Sequence, residues 1–104
     1  MEVFNMNINI TRDGNELTVT LKGRLDTLTS PDLEDELEDK LDDIEMLIFD
    51  LGGLEYISSA GLRVLVGAAQ AIDEHDGDMV IRNLSVPVRD VFDVTGFSNA
   101  FDIQ

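Results

Sequence analysis

The sequence predicts a single α/β domain with a mixed sheet of four to five strands and helices mainly on one side. The chain has 104 residues, near the commonest size of one domain, and 43% of them are hydrophobic, which is enough for one modest core. Segments with the period of a strand alternate along the chain with segments with the period of a helix. This alternation is typical of a sheet with helices packed on it, so residues 1–104 are predicted to form one domain.

The N-terminal part of the chain predicts a β-hairpin. Apolar and polar residues alternate over Val3–Ile10 and again over Leu17–Leu21, which is the period of half-buried strands. Turn-forming residues fill Arg12–Asn15 between these two segments. We expect Gly23 to end the second strand.

A first helix is predicted to begin at Ser30 and Pro31. A serine hydroxyl can cap a helix, and proline has no amide to leave unpaired at the first helical position. Leucines then recur every four residues and make a narrow apolar stripe, whereas the acidic residues between them suit the solvent-facing side. The stripe consists of Leu33, Leu37 and Leu41.

The middle of the chain predicts a buried strand followed by a second helix. Met46–Leu51 is nearly continuously apolar, as in a strand covered on both faces, and Gly52 and Gly53 are predicted to form a turn. The helix is predicted over residues 59–74, because apolar residues recur there at intervals of three and four. Its predicted buried face consists of Leu62, Leu65, Val66, Ala69 and Ile72.

Four small residues, Gly61, Gly67, Ala68 and Ala71, lie on this second helix. Small side chains allow a helix to approach a sheet closely, which is the commoner cause of such a pattern. The same residues would also suit a groove that binds a partner. Gly77 is predicted to end the segment.

The C-terminal part predicts a short strand, a third helix and an edge strand. Met79–Ile81 is the short strand, Ser85 and Pro87 open the helix, and Gly96 ends it. Phe101–Ile103 adds the last strand. The inward face of the third helix is predicted to consist of Val88, Val91 and Phe92.

The composition excludes several classes of function. The chain has no cysteine, so disulfides and thiolate metal sites are excluded. Asp and Glu number 22 against 7 Lys and Arg, and a field of this sign repels polyphosphate backbones, which argues against direct nucleic acid binding. The acidity fits either a well-solvated surface or a basic partner surface.

The sequence carries no targeting or membrane signal that we recognise. Its first residues hold neither a basic leader nor an apolar block, and no stretch approaches the roughly 20 apolar residues that a bilayer span needs. We therefore expect a soluble cytoplasmic protein without membrane insertion.

Two adjacent serines, Ser58 and Ser59, are predicted to lie where the buried strand gives way to the second helix. A serine at a helix start is either a cap or a place where a phosphate is tolerated, because the helix dipole is positive there. A serine hydrolase does not fit, since the Gly-x-Ser-x-Gly elbow is missing and the sole histidine, His75, lies at the far end of the same helix. A phosphate-binding loop and a calcium loop are also missing, so we predict no enzyme, cofactor or metal.

The segment Asp50–Val66, with Ile-Ser-Ser-Ala-Gly-Leu-Arg-Val-Leu at its centre, resembles the signature of STAS domains of the anti-sigma-factor-antagonist family. The resemblance extends to Leu21–Asp26 with Thr29, which is similar to the family's Gly-x-Leu-Asp loop, and to Val88–Phe97. It covers essentially the whole chain and implies a STAS-like fold.

The resemblance also implies a mechanism of partner switching that regulates transcription in bacterial signalling. The unmodified protein would bind an anti-sigma factor that is a serine kinase, and a serine phosphatase would remove the phosphate that the kinase adds. The phosphorylated residue falls on Ser59, and the partner-binding positions fall on Asp26, Thr29, Ser58, Ser59 and Gly61. Family members often carry Asp where this chain has Ser58, so Ser58 is an alternative acceptor. The other function that stays open is a STAS scaffold, or an accessory subunit of a transporter or signalling complex, without phosphorylation.

Overall fold

The structure is a computed structural model, and it describes residues 6–104. These residues form five strands and three helices, with a 3-10 turn at Phe97–Asn99 between the third helix and the fifth strand. The strands are β1 Met6–Asp13, β2 Glu16–Leu25, β3 Met46–Ile57, β4 Asp78–Arg82 and β5 Asp102–Ile103. The helices are α1 Ser30–Leu37, α2 Ser59–Asp73 and α3 Val86–Thr95.

The five strands form one mixed sheet in the order β1-β2-β3-β4-β5. The β1–β2 pair is an antiparallel hairpin, and every other neighbouring pair is parallel. The predicted mixed sheet and hairpin are thus confirmed, and the strand that begins at Met46 is the middle one of the five. Residues 3–5 of the predicted first strand lie outside the described residues.

One face of the sheet carries all three helices. A single buried cluster joins the inward side chains of the helices to alternate residues of the strands, including Leu47 and Phe49 of β3. The intervening Ile48 is also buried but is not part of that cluster, because successive strand residues point to opposite faces. The prediction of helices mainly on one side is confirmed.

The strand ends predicted at Gly23 and at Gly52 and Gly53 are wrong, because these glycines lie inside strands. β2 continues past Gly23 to Leu25, and β3 continues through Gly52 and Gly53 to Ile57. The register shows the reason, since β3 advances three positions from Asp50 to Gly53 while β2 advances only two from Thr20 to Lys22. A Cβ on Gly53 would lie 2.7 Å from Lys22 Cγ, so a larger residue at this irregular pairing would require the Lys22 side chain to move.

The predicted positions of the first two helices are confirmed, but the capping residue of α1 and some of the buried residues are different. Ser30 does not cap α1, because its Oγ donates to the carbonyl oxygen of Asp26 at 2.6 Å and the N-cap residue is Thr29. Leu41 is buried as predicted but follows the end of α1. On α2 the buried positions are Gly61, Leu62, Leu65, Ala68 and Ile72, whereas Val66 and Ala69 are half-buried.

The third helix is close to its prediction. Ser85 is the N-cap residue, Val88 and Phe92 are buried, and Val91 is half-buried. Gly96 ends the helix in the left-handed region at φ 82°, where glycine has no steric penalty.

Candidate functional site

The candidate site lies at the carboxyl ends of two neighbouring parallel strands. Leu25 and Ile57 are paired at the ends of β2 and β3, and the Ser58 amide donates to the carbonyl oxygen of Leu25 at 2.9 Å. The loop after β2, residues 26–29, therefore lies beside the first turn of α2. Ligands and partners of open α/β sheets commonly bind at this edge.

Ser58 and Ser59 differ in what their hydroxyl groups do. Ser58 is the N-cap residue of α2, and its Oγ accepts a hydrogen bond from the Gly61 amide at 3.3 Å. Ser59 is the first helical residue; it is exposed, whereas Ser58 is half-buried. The structural role that a serine can have at this position is thus taken by Ser58, and the Ser59 hydroxyl faces solvent.

The packing around Gly61 leaves no room for a side chain at this position. It is buried, and a Cβ built on it would lie 2.7 Å from Leu25 Cγ and 2.9 Å from Ile57 Cγ1. Such distances require the neighbours to move. Gly61 lets the first turn of α2 pack on the ends of β2 and β3, so the structure places it beneath the surface that carries Ser59.

Asp26 and Thr29 hold the neighbouring loop in its shape. Asp26 Oδ1 accepts hydrogen bonds from the amides of Leu28 and Thr29, each at 3.0 Å. The Asp26 amide donates to Thr29 Oγ1 at 2.9 Å, and that hydroxyl donates to the carbonyl oxygen of Arg24 at 2.8 Å. Both predicted partner-binding residues therefore bond mainly to their own loop.

These bonds lower the pKa of the Asp26 carboxyl group from its ordinary value of 3.8. The largest cause is the bond from the Thr29 amide, with smaller contributions from the Thr29 hydroxyl, the Leu28 amide and the nearby Arg24 charge. Partial burial acts in the opposite direction and is outweighed. Asp26 is thus held as a carboxylate by the turn that it closes.

Two exposed apolar side chains lie near the paired ends of β2 and β3. Leu28 in the loop after β2 is 78% exposed, and Tyr56, one residue before the end of β3, is 37% exposed. The Arg24 guanidinium lies over the Tyr56 ring, 4.4 Å from its centroid. Sequence reasoning missed these residues, and the only available signal was an apolar Leu28 among polar loop residues.

Charged residues of both signs lie near Ser59. The first turn of α2 contains no acidic residue, and Arg63 follows Ser59 by one helical turn. A shallow hollow of about 290 Å³ next to the first turn of α2 is lined by Arg63 and by Glu34, together with Thr27, Ser30, Pro31, Ala60 and Val64. A negative charge on Ser59 would lie at the positive end of the helix dipole, which favours anions.

The sole histidine lies away from the two serines, and residues 6–104 contain neither a cluster of potential metal ligands nor a membrane-spanning helix. His75 Nε2 lies 2.6 Å from the carbonyl oxygen of Ile44, at the opposite end of α2 from the serines. Among residues 6–104, no three His, Asp or Glu side chains converge on a potential metal site. Nor does that range contain a helix with the length and apolar character needed to cross a membrane.

Comparison with known proteins identifies the family. The model of the STAS domain matches residues 7–104. This chain belongs to the STAS domain family. A protein of Bordetella bronchiseptica named as an anti-sigma factor antagonist, BtrV, is 38% identical over 88 residues, which are 84% of this chain and 76% of BtrV. The anti-sigma-B factor antagonist of Bacillus subtilis is 28% identical over 97% of this chain and 93% of its own length.

The fold of this STAS domain is also shared with solved structures. The anti-sigma factor antagonist SpoIIAA matches in its unphosphorylated form with a TM-score of 0.77 and 15% identity, covering 94% of this chain and 87% of SpoIIAA. The phosphorylated form of SpoIIAA, from Bacillus, matches with a TM-score of 0.75 and 16% identity, covering 94% and 91%. The suspected STAS domain of the anti-sigma-factor-antagonist family is confirmed.

Proposed function

We propose that this STAS domain is an anti-sigma factor antagonist that binds a kinase-type anti-sigma factor and is released when Ser59 is phosphorylated. The single observation that carries this proposal is the division between the two serines, with Ser58 capping α2 and Ser59 exposed beside it. The protein acts by binding in this account and has no catalytic role of its own. A serine phosphatase would restore the binding form, and the whole cycle would take place in the cytoplasm.

The surface around Ser59 explains how the unmodified domain would hold its partner. Leu28 and Tyr56 expose apolar area near the paired ends of β2 and β3, where α2 begins with the serine. Burial of such area is the main favourable contribution to most protein association. The internally bonded Asp26 loop presents Leu28 in a fixed position, which lowers the entropy lost on binding. We therefore assign Asp26 and Thr29 the task of shaping this surface.

The same surface explains why a phosphate would release the partner. A phosphoserine carries about −1.5 to −2 charges at neutral pH. The helix start tolerates that charge in the free domain, where water also solvates it. In a complex the dianion would be buried among apolar groups and close in sequence to Glu55, so desolvation and repulsion would oppose binding.

Two kinds of relatives support the proposal. SpoIIAA has been solved in phosphorylated and unphosphorylated forms, so a STAS domain of this fold accepts a phosphate. The relatives named above are described as anti-sigma factor antagonists, which supports an anti-sigma factor as the partner.

The proposal is tested by measuring the affinity of the purified domain for its anti-sigma factor kinase by calorimetry, with and without ATP. We expect Ser59→Ala to bind like the wild type and to stay bound when ATP is added. Ser59→Glu should bind at least about tenfold more weakly, which corresponds to about 1.4 kcal/mol. Ser58→Ala is the matched control: once folded, it should bind and still be released by ATP.

The result that contradicts the proposal is equal affinity of the wild type, Ser59→Ala and Ser59→Glu with no effect of ATP. A fixed scaffold or an accessory subunit would behave in that way. Release of Ser59→Ala but not Ser58→Ala by ATP would keep the switch and move it to Ser58.

A further inference from the structure

A groove lies between α1 and α2, away from the first turn of α2. Its volume is about 230 Å³, and its apolar lining includes the buried Leu37 and Ala68 and the half-buried Val64 and Ala71. An apolar cavity of about 150 Å³ is large enough to bind benzene. The groove thus has room for one or two large apolar side chains from another molecule.

Gly67 lines this groove, and neither its backbone conformation nor a contact with the rest of the domain requires glycine there. It is exposed, its φ is not in the left-handed region, and a Cβ built on it meets no atom within 4 Å. Glycine within a helix costs about 0.8–1.0 kcal/mol relative to alanine. Gly61, in contrast, is required by its contacts with Leu25 and Ile57. The small-residue pattern therefore serves close packing at Gly61 and leaves space open at Gly67.

The polar side chains that line the groove all carry the same charge. Glu34, Glu38 and Asp42 are exposed along the α1 side, and no basic residue lines the groove. The α2 side contributes only small and apolar residues. An apolar floor beside an acidic wall is complementary to a helix with large apolar side chains on one face and Lys or Arg next to them.

We propose that the α1–α2 groove is a docking surface for a basic amphipathic helix of a partner protein. The proposal goes beyond the Ser59 switch and does not depend on it. The helix would insert one or two large apolar side chains over Gly67 and place its cations against Glu38 and Asp42. Such helix-in-groove recognition uses apolar anchors spaced along one helical face.

The first test uses the full chain, labelled with ¹⁵N, and a synthetic helical peptide with leucine on one face and lysine on the other. The control peptide has the same composition with the leucines dispersed. We expect the amphipathic peptide to shift the amide signals of Gly67, Ala68 and Ala71 most strongly, and the control peptide to bind at least about tenfold more weakly. Shifts spread over the whole acidic surface, or equal binding of both peptides, would overturn the proposal.

Two sets of variants separate groove binding from general charge attraction. Gly67→Leu should fill the groove and weaken peptide binding at least about tenfold, with the urea midpoint of unfolding unchanged or raised. The pair Glu38→Gln and Asp42→Asn should weaken binding clearly more than the pair Asp35→Asn and Asp39→Asn, which makes the same change in net charge elsewhere on and just after α1. Equal effects of the two pairs, or full binding by folded Gly67→Leu, would overturn the proposal.

A Ser59→Glu variant distinguishes this inference from the switch. It should bind the amphipathic peptide within about twofold of the wild type, because the groove contains neither serine. A tenfold loss would mean that the peptide binds at the switch surface and would overturn the groove assignment.

Discussion

The oxygen of the Ser58 hydroxyl accepts a hydrogen bond from the Gly61 amide at 3.3 Å, and this contact separates the roles of two adjacent serines. Gly61 is in turn fixed by its packing on Leu25 and Ile57. The start of α2 is therefore anchored from both sides, and Ser59 lies exposed on an ordered helical turn.

Replacement of the capping serine should cost stability, whereas replacement of its neighbour should not. We expect Ser58→Ala to lower the free energy of unfolding by about 1 kcal/mol, because an N-cap hydrogen bond is lost. Ser58→Asp should stay near the wild type, since aspartate is also a good N-cap residue. Ser59→Ala should change stability by less than about 0.5 kcal/mol. Urea unfolding measures all three, and a larger loss from Ser59→Ala than from Ser58→Ala would contradict the cap assignment.

The same substitution at two glycines of α2 should have opposite effects. Gly61→Ala should destabilise the domain by about 1–3 kcal/mol, because the added methyl group would overlap Leu25 and Ile57. Gly67→Ala should stabilise it by up to about 1 kcal/mol, because alanine favours the helix and the position is open. Thermal unfolding of the two variants checks this, and equal destabilisation by both would argue against the packing described for α2.

The lowered pKa of Asp26 predicts a specific dependence on pH. Its stabilising effect is fully present above the unfolded pKa of about 3.8 and is lost as pH falls through the lower folded pKa. The difference in unfolding free energy between the wild type and Asp26→Ala should therefore be constant from pH 7 to about pH 5 and shrink below about pH 4. Urea unfolding of both proteins over this range measures it. A difference that grows on acidification would contradict the hydrogen bonds assigned to the carboxylate.

The exposed Leu28 should matter for binding and not for folding. We expect Leu28→Ser to keep the wild-type urea midpoint, because the side chain is 78% exposed, and to weaken binding of the anti-sigma factor by about tenfold. Val94→Ser is the matched control, since Val94 is 87% exposed but lies near the end of α3. Equal loss of affinity in both variants, or none in either, would remove Leu28 from the proposed surface.

Most of the fold could be predicted from local patterns because burial and period agree in this chain. The alternation over β2 and the three-and-four spacing on α2 each identify an element and its buried face. Glycine was the main source of error. Gly23, Gly52 and Gly53 resemble strand ends in the sequence, but they lie where β2 and β3 pair irregularly, and that pairing depends on residues roughly 30 positions apart.

The candidate site was only partly predictable for a related reason. The serine pair and the Asp26 loop are visible as motifs, but the sequence alone does not say which hydroxyl caps α2. The exposed Leu28 and Tyr56 are recognisable only when the ends of β2 and β3 have been brought together. The groove at Gly67 likewise depends on how α1 packs beside α2.

The central claim, that Ser59 is the switch, is tested most directly by fragment mass spectrometry. The protein should be isolated from its native cells with phosphatases inhibited, during growth and under stress. The account predicts a phosphate on Ser59 whose occupancy differs between the two conditions, with Ser58 unmodified. Phosphate on Ser58 alone would contradict the assignment of the hydroxyl groups, and unmodified serines under every condition would contradict the switch itself.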